Sequence, residues 1–253
     1  MSRPERSFHT DVLILRRRDF GESDRILTVL TPHHGRREVI AKAARKPSSS
    51  STGQVELYTR VEMLINVGRD LDIAAQSVMR SPFLMLRDDL QRGAYAAYVS
   101  ELLIRFTGED DHQPSVLFAL LDATYDRLCT HPDPRLVVRY YELRLLDLSG
   151  FMPELNECVV TRQPVAPRDQ YFSYADGGVV SPENVHHSTA LVSLSLNALK
   201  VLRFLQRSQY ADIQQLNVPE SLHRELERLL QGYIIHLLER RLQSVDFLRR
   251  VRD

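Results

Sequence analysis

Residues 12–41 read VLILRRRDFGESDRILTVLTPHHGRREVIA, and this stretch decides the fold of the N-terminal part. Val12-Leu13-Ile14-Leu15 is an apolar run that ends at Arg16-Arg17-Arg18. Asp19-Phe20-Gly21-Glu22-Ser23-Asp24 is dense in turn formers. Ile26 to Thr31 is apolar and β-branched, the composition of a strand. Pro32-His33-His34-Gly35 makes a tight connection, with Gly35 able to take a positive φ. Arg37 to Ala41 then reads as a third strand.

Downstream, residues 45–54 (RKPSSSSTGQ) form a polar loop, and Ser48–Ser51 is the only low-complexity piece. Val55 to Val67 alternates around Tyr58, Val61, Met63 and Ile65 with period two. Gly68-Arg69-Asp70 turns the chain, and Leu71 to Met79 returns as a fifth strand. Five strands in about eighty residues suit a small closed barrel, because closure removes the exposed edges of so short a sheet. The OB-fold is the common five-stranded version and binds oligonucleotides on one face and its loops. An SH3-like barrel is the competing reading.

From Ser81 the apolar spacing becomes helical. After Pro82, residues Leu90, Ala94, Ala97, Tyr98, Glu101, Leu102 and Arg105 recur at three- and four-residue steps, with Glu101–Arg105 an i,i+4 pair. Pro114-Ser115 opens a second helix. Pro134 opens a third that Gly150 ends as a C′ glycine. Ser195 can N-cap a fourth, and Pro219 starts the last long one. Residues 151–190 interrupt this rhythm with Pro, Gly and short β-like runs such as Gln170 to Tyr174. The expected class is therefore α+β. A barrel spans 1–80 and a helical domain spans 81–253, with a small irregular insertion at 151–190.

The 253 residues are 43% hydrophobic and of zero formal net charge. No apolar run approaches the eighteen or so residues needed to cross a bilayer. The start, MSRPERSFHTD, lacks the apolar core of a signal peptide. The two cysteines, Cys129 and Cys158, are too few for a disulfide framework and read as free thiols. Cytoplasmic residence is expected.

Charge is unevenly placed: residues 1–80 carry a net +4 and residues 81–253 a net −4. Arg36, Arg37, Lys42, Arg45 and Lys46 face one acid, Glu38, between residues 33 and 55. Such a local basic patch is an electrostatic footprint for a polyanion. Arg16, Arg17, Arg18 and Arg25 add to the same end of a closed barrel, and Phe20 and Tyr58 are aromatics that can stack on bases.

Catalytic signals are missing. The sequence has no GxxxxGK[ST] loop, no HExxH pair and no GxSxG elbow. Asp88-Asp89 and Asp110-Asp111 read as helix-start or loop acids. Gly177-Gly178 reads as a hairpin turn. His186-His187 with Cys158 offers metal-binding residue types, but Thr161 stands where a paired cysteine would be. No catalytic residue and no metal ligand is expected.

The run DFGESDRILTVLTPHHGRREVIAKAARKP resembles the N-terminal signature of the RecO family of bacterial recombination mediators. It contains Gly21-Glu22-Ser23-Asp24, Thr31, Gly35 and Lys42-Ala43-Ala44-Arg45-Lys46, with Ala43 at a position where the family has glycine. The resemblance continues through Arg87 to Leu90, Ala94 to Tyr98, Tyr141 to Leu146 and Gly150-Phe151.

It implies an OB domain, a helical domain and a zinc-finger-like insertion. It also implies a non-enzymatic, nucleoid-associated activity. The protein would bind single- and double-stranded DNA, anneal complementary strands and help load RecA onto DNA coated by single-strand-binding protein. The implied partners are RecR and the acidic tail of single-strand-binding protein, with no membrane. Arg139 is one candidate to meet that tail. The family's two CxxC pairs map to Cys158…Thr161 and Ser181…Asn184. Only Cys158 is retained, so the insertion is degenerate, no zinc cofactor is carried over, and packing alone is expected to hold the hairpin. The alternatives are an OB-fold interaction scaffold with no direct DNA role and a metal-dependent hydrolase.

Overall fold

The computed structural model describes residues 6–46, 53–108, 113–239 and 242–252. The chain divides into two compact units, Met1–Thr130 with Ser244–Asp253, and His131–Gln243.

In the first unit, β1 (Ser7–Phe20), β2 (Asp24–Thr31), β3 (Gly35–Ala41), β4 (Arg60–Asn66) and β5 (Asp72–Ser81) close into a barrel of order β1-β2-β3-β5-β4. The parallel β3–β5 pair and the antiparallel β1–β4 pair complete the circuit, giving the OB-fold arrangement. Val12, Ile14, Leu27, Val29, Val39, Val61, Met63 and Ile65 fill the interior.

The outward-facing Leu13, Leu15, Ile26 and Leu30 are buried as well. Helices α2 (Leu90–Phe106) and α3 (Pro114–Thr130) pack on β1 and β2 and cover them. This two-sided burial is why both strands read as continuous apolar runs rather than alternating ones.

The helix expected after Pro82 is two helices. A short α1 (Met85–Asp88) precedes α2, and Asp89 caps α2 by accepting the Arg92 N–H at 2.9 Å. The Pro219 helix is likewise not the last. From Ser244 onward, α8 (Gln243–Arg252) belongs to the barrel unit, where Ser244 donates its N–H and hydroxyl to Glu101 at 2.8 and 2.6 Å. The strand-to-helix change falls at Ser81, whereas the packing divides after Thr130.

The second unit holds α4 (Pro134–Leu148), α5 (Leu196–Arg207), α6 (Tyr210–Ile213) and α7 (Glu220–Leu238). It also holds a sheet of order β7-β6-β8 made of β6 (Gln170–Ser173), β7 (Gly178–Val180) and β8 (Leu191–Leu194). Gly150, at φ +78°, ends α4 as the sequence expects. Its N–H reaches Asp147 O at 3.0 Å, and the Phe151 N–H reaches Leu146 O at 2.8 Å, a Schellman closure. Ser195 caps α5 through the Ala198 N–H at 3.1 Å. Gly177 turns β6 into β7 at φ +68°. Phe172 packs edge-on to Tyr233, ring centroids 5.4 Å apart, and joins the sheet to α7.

Candidate nucleic-acid interface

Two turns meet at one end of the barrel, the β1–β2 turn around Gly21 and the turn after β3 spanning Lys42–Lys46. Asp24 Oδ1 accepts the Ala43 N–H at 2.8 Å, and the Ser23 carbonyl accepts the Arg45 N–H at 3.0 Å. The Arg45 guanidinium returns to Gly21 O at 3.4 Å and lies 3.6 Å from Asp19. The GESD segment therefore does more than turn the chain: its Ser and Asp fix the basic turn that follows β3. Ala43 sits at φ +55°, the left-handed region that favours glycine.

This end gathers most of the cations singled out in the sequence. Arg16, Arg18, Lys42, Arg45 and Lys46 are exposed. Arg16, Arg18 and Lys42 make no ion pair among the described residues. Arg17 and Arg25 converge on Glu56, Arg25 at 3.4 Å, and Arg25 also lies 3.5 Å from Asp19. Partly exposed pairs of this kind contribute about 0–1 kcal/mol each, so a phosphate can displace them at small cost. Residues 47–52 of the polar loop lie outside the described residues.

Arg36 and Arg37 are not part of this cluster. They sit at the opposite end of β3, roughly 17–20 Å from Lys42 at about 3.4 Å per strand residue. Arg36 donates to Ile104 O in the last turn of α2, and Arg37 lies 3.3 Å from the buried carboxylate of Asp72. Of the two aromatics, Phe20 is 46% exposed beside the basic turn. Tyr58 packs against Tyr125, centroids 6.0 Å apart, and burial pushes its hydroxyl pKa up to about 12.

Residues 3–83 match the family model described as Recombination protein O N terminal, and residues 87–246 match Recombination protein O C terminal. The chain belongs to the RecO family. It is 36% identical to the DNA repair protein RecO of Roseiflexus sp. (strain RS-1), over 98% of this chain and 87% of the relative. The RecO of Dehalococcoides mccartyi (strain 195) is 35% identical over 95% of this chain and 94% of its own. That of Desulforamulus reducens is 31% identical over 96% and 94%. The protein is thus a DNA repair protein of the RecO family. No helix among the described residues is long and apolar enough to cross a membrane.

Arg139, the candidate by position for meeting an acidic tail, is overturned as a surface cation. Arg139 is not at the surface. It is 1% exposed inside α4 and pairs with Glu142, itself fully buried, at 3.2 Å. Leu136 to Leu143 are all buried, so this part of α4 has no outward face for a cation to occupy.

The four positions to which the resemblance maps zinc ligands, Cys158, Thr161, Ser181 and Asn184, converge. Cys158 Sγ accepts the Ser181 N–H at 3.4 Å and Asn184 Nδ2 at 3.9 Å, and Thr161 and Val160 donate as well. Burial alone would raise the thiol pKa, but these donors outweigh it and bring the value down to about 7. Structural zinc takes four N or S ligands. One sulfur among two hydroxyl residues and an amide does not fit the metal. Hydrogen bonds to the sulfur, and not packing alone, tie β7 to the 158–161 turn. Among the described residues no group of three or more His, Cys, Asp or Glu is placed to hold a metal, and His186 and His187 are exposed on the 3-10 turn Pro182–His187.

Two residues that shape the interface went unread in the sequence, Asp24 and Glu56. Asp24 was visible only as a turn former, because its partner lies nineteen positions away.

Proposed function

We propose that this RecO-family protein is a non-enzymatic recombination mediator whose barrel end binds the backbone of single- and double-stranded DNA. In this reading it anneals complementary strands. With RecR, and through the acidic tail of single-strand-binding protein, it helps RecA onto coated DNA. The observation that carries the reading is the exposed cation set of Lys42, Arg45 and Lys46 on a turn fixed by the β1–β2 turn, with Arg18 near the end of β1, Arg16 further back on that strand and Phe20 beside the turns.

Cations held on a rigid turn release counterions from phosphates without a large ordering cost. Arg17 and Arg25 stand behind them, held by Glu56 and exchangeable for phosphate. Arg36 and Arg37 contribute long-range positive potential and no direct contact. Annealing by this device needs no nucleotide and no metal. It holds two backbones together by charge and leaves the bases free to pair.

The test is annealing of complementary strands, with and without single-strand-binding protein, in the absence of ATP and with chelator present. The expected outcome is annealing on naked and coated strands alike. A protein that binds its partners and never accelerates annealing would instead be an interaction scaffold.

A further inference from the structure

The second unit carries a groove of its own, a cavity of about 740 Å³ between the β6–β8 edge, the start of α5 and the first turns of α7. That volume lies in the range of small-ligand sites, about 300–1,000 Å³. Ser221, Arg224 and Arg228 line it from one exposed face of α7, opposite the buried Leu226, Leu229 and Leu230. The two arginines stand one turn apart, about 6 Å along the axis. Tyr171 (39% exposed) and Ser193 line it from the sheet, and Arg228 Nη2 lies 3.5 Å from Ser193 Oγ.

Two carboxylates also line the groove, and both are engaged at the start of α5. Asp169 accepts the Leu196 N–H at 2.8 Å. Glu225 accepts the Ser195 N–H at 2.7 Å and its hydroxyl at 2.8 Å. Negative charge at a helix N-terminus is stabilised there by the free N–H groups and the dipole, so these acids serve α5. Among the described residues Arg224 pairs with Glu220, 4.0 Å away, in a contact where both side chains are mostly exposed. Contacts of that kind are weak, and Glu220 is also bound by Arg135. What the groove offers a ligand is two guanidinium groups, the Ser193 and Ser221 hydroxyls and a part-exposed phenol ring, with the Asp169 and Glu225 carboxylates engaged at the start of α5.

We propose that this groove is a second nucleic-acid site, in which Arg224 and Arg228 hold a backbone phosphate of a single strand and Tyr171 stacks on an unpaired base. The inference rests on the proposed DNA-binding function and adds a place for a strand distinct from the barrel turns. Stacking on aromatic rings beside a cationic groove is the general mode of sequence-tolerant single-strand binding.

The chain contains no tryptophan, so Tyr171→Trp in the full-length protein places a single indole at the groove. Oligothymidylate carrying a terminal fluorophore then reports total binding by anisotropy, while indole emission reports the groove alone. The expected result is saturable quenching of the indole, abolished when Arg224→Glu and Arg228→Glu are added. In the otherwise native chain, the same pair of changes lowers the log–log salt slope of binding by about 0.7, the value for one single-strand phosphate contact. Arg224→Ala with Arg228→Ala repeats the test should charge reversal disturb the fold, which thermal melting monitors.

Anisotropy binding with unchanged indole emission and an unchanged salt slope would overturn the groove and leave the barrel reading standing. Absence of binding by either signal would bring down both. Quenching by a Glu- and Asp-rich peptide but not by oligothymidylate would assign the groove to a protein partner and overturn the proposal.

Discussion

At one end of β3, Arg36 donates into the last turn of α2 and Arg37 pairs with the buried carboxylate of Asp72; at the other, on a fixed turn, Lys42 and Lys46 stand exposed and Arg45 pairs with an exposed acid, Asp19. A count of charge treats the five alike. Their surroundings do not. Arg36 reaches a carbonyl in the last turn of α2, where helix geometry leaves C=O groups without intrahelical donors. The same use recurs elsewhere. Arg92 donates to Leu128 O at the end of α3, and Arg144 donates to Leu205 O and Ser208 O at the end of α5. Arg139 takes the principle furthest, buried with Glu142 inside α4. Arginine in this chain is frequently a strut, with five donors that close helix ends and neutralise buried acids. Both lysines of the basic stretch lie at the exposed end.

Changes at the bound-in end should act on stability and not on DNA. Arg139→Ala breaks the fully buried Arg139–Glu142 pair, and urea denaturation should show a loss of about 3–5 kcal/mol. A loss below about 1 kcal/mol would remove Arg139 from the struts, since that is the range of exposed pairs. Arg36→Ala should cost roughly 1–3 kcal/mol by stranding Ile104 O, and Arg37→Ala about 0–1 kcal/mol, since Arg37 is partly exposed and Asp72 keeps the Gly68 N–H at 3.2 Å. Their salt slopes for DNA binding should match the parent protein.

The turn itself can be sharpened. Ala43→Gly removes a side chain from a left-handed residue and should stabilise the barrel by about 1 kcal/mol in a thermal melt. Loss of stability would mean that the Asp24–Ala43 hydrogen bond does not need this backbone. The smallest energetic change expected is Glu56→Gln, which frees Arg17 from its acid and leaves Arg25 with the exposed Asp19, 3.5 Å away. The DNA salt slope should steepen by up to about 1.4 as two more cations reach phosphate. An unchanged slope would show both arginines fixed for structural reasons.

The barrel and the helix ends were legible because their signals are local. Period-two alternation marks β4, and Gly150 and Ser195 close and open helices within a few residues of themselves. The basic turn was legible as composition, but not its division into two roles. A strut is defined by its acceptor, and a backbone carbonyl such as Ile104 O leaves no trace in sequence. Arg139 was partly readable, since Glu142 lies three positions on and pairs along a helix at that spacing. What hid its burial was the tertiary packing of α4, which leaves Leu136 to Leu143 without an exposed residue. The break between α1 and α2 was readable from Asp89 as a cap, and the apolar spacing that runs through it concealed it.

The central claim is that the turn end of the barrel, and not the strand's other end, meets DNA. Salt titration of oligothymidylate binding by anisotropy, run side by side on Lys42→Ala/Arg45→Ala/Lys46→Ala and Arg36→Ala/Arg37→Ala, tests it most directly. With about five cations engaged, the parent slope is roughly −3 to −4. The turn triple should flatten it by about 2, at 0.7 per contact, and the strand double should leave it unchanged. A turn triple with the parent slope, or a strand double that loses as much as the triple, would contradict the account.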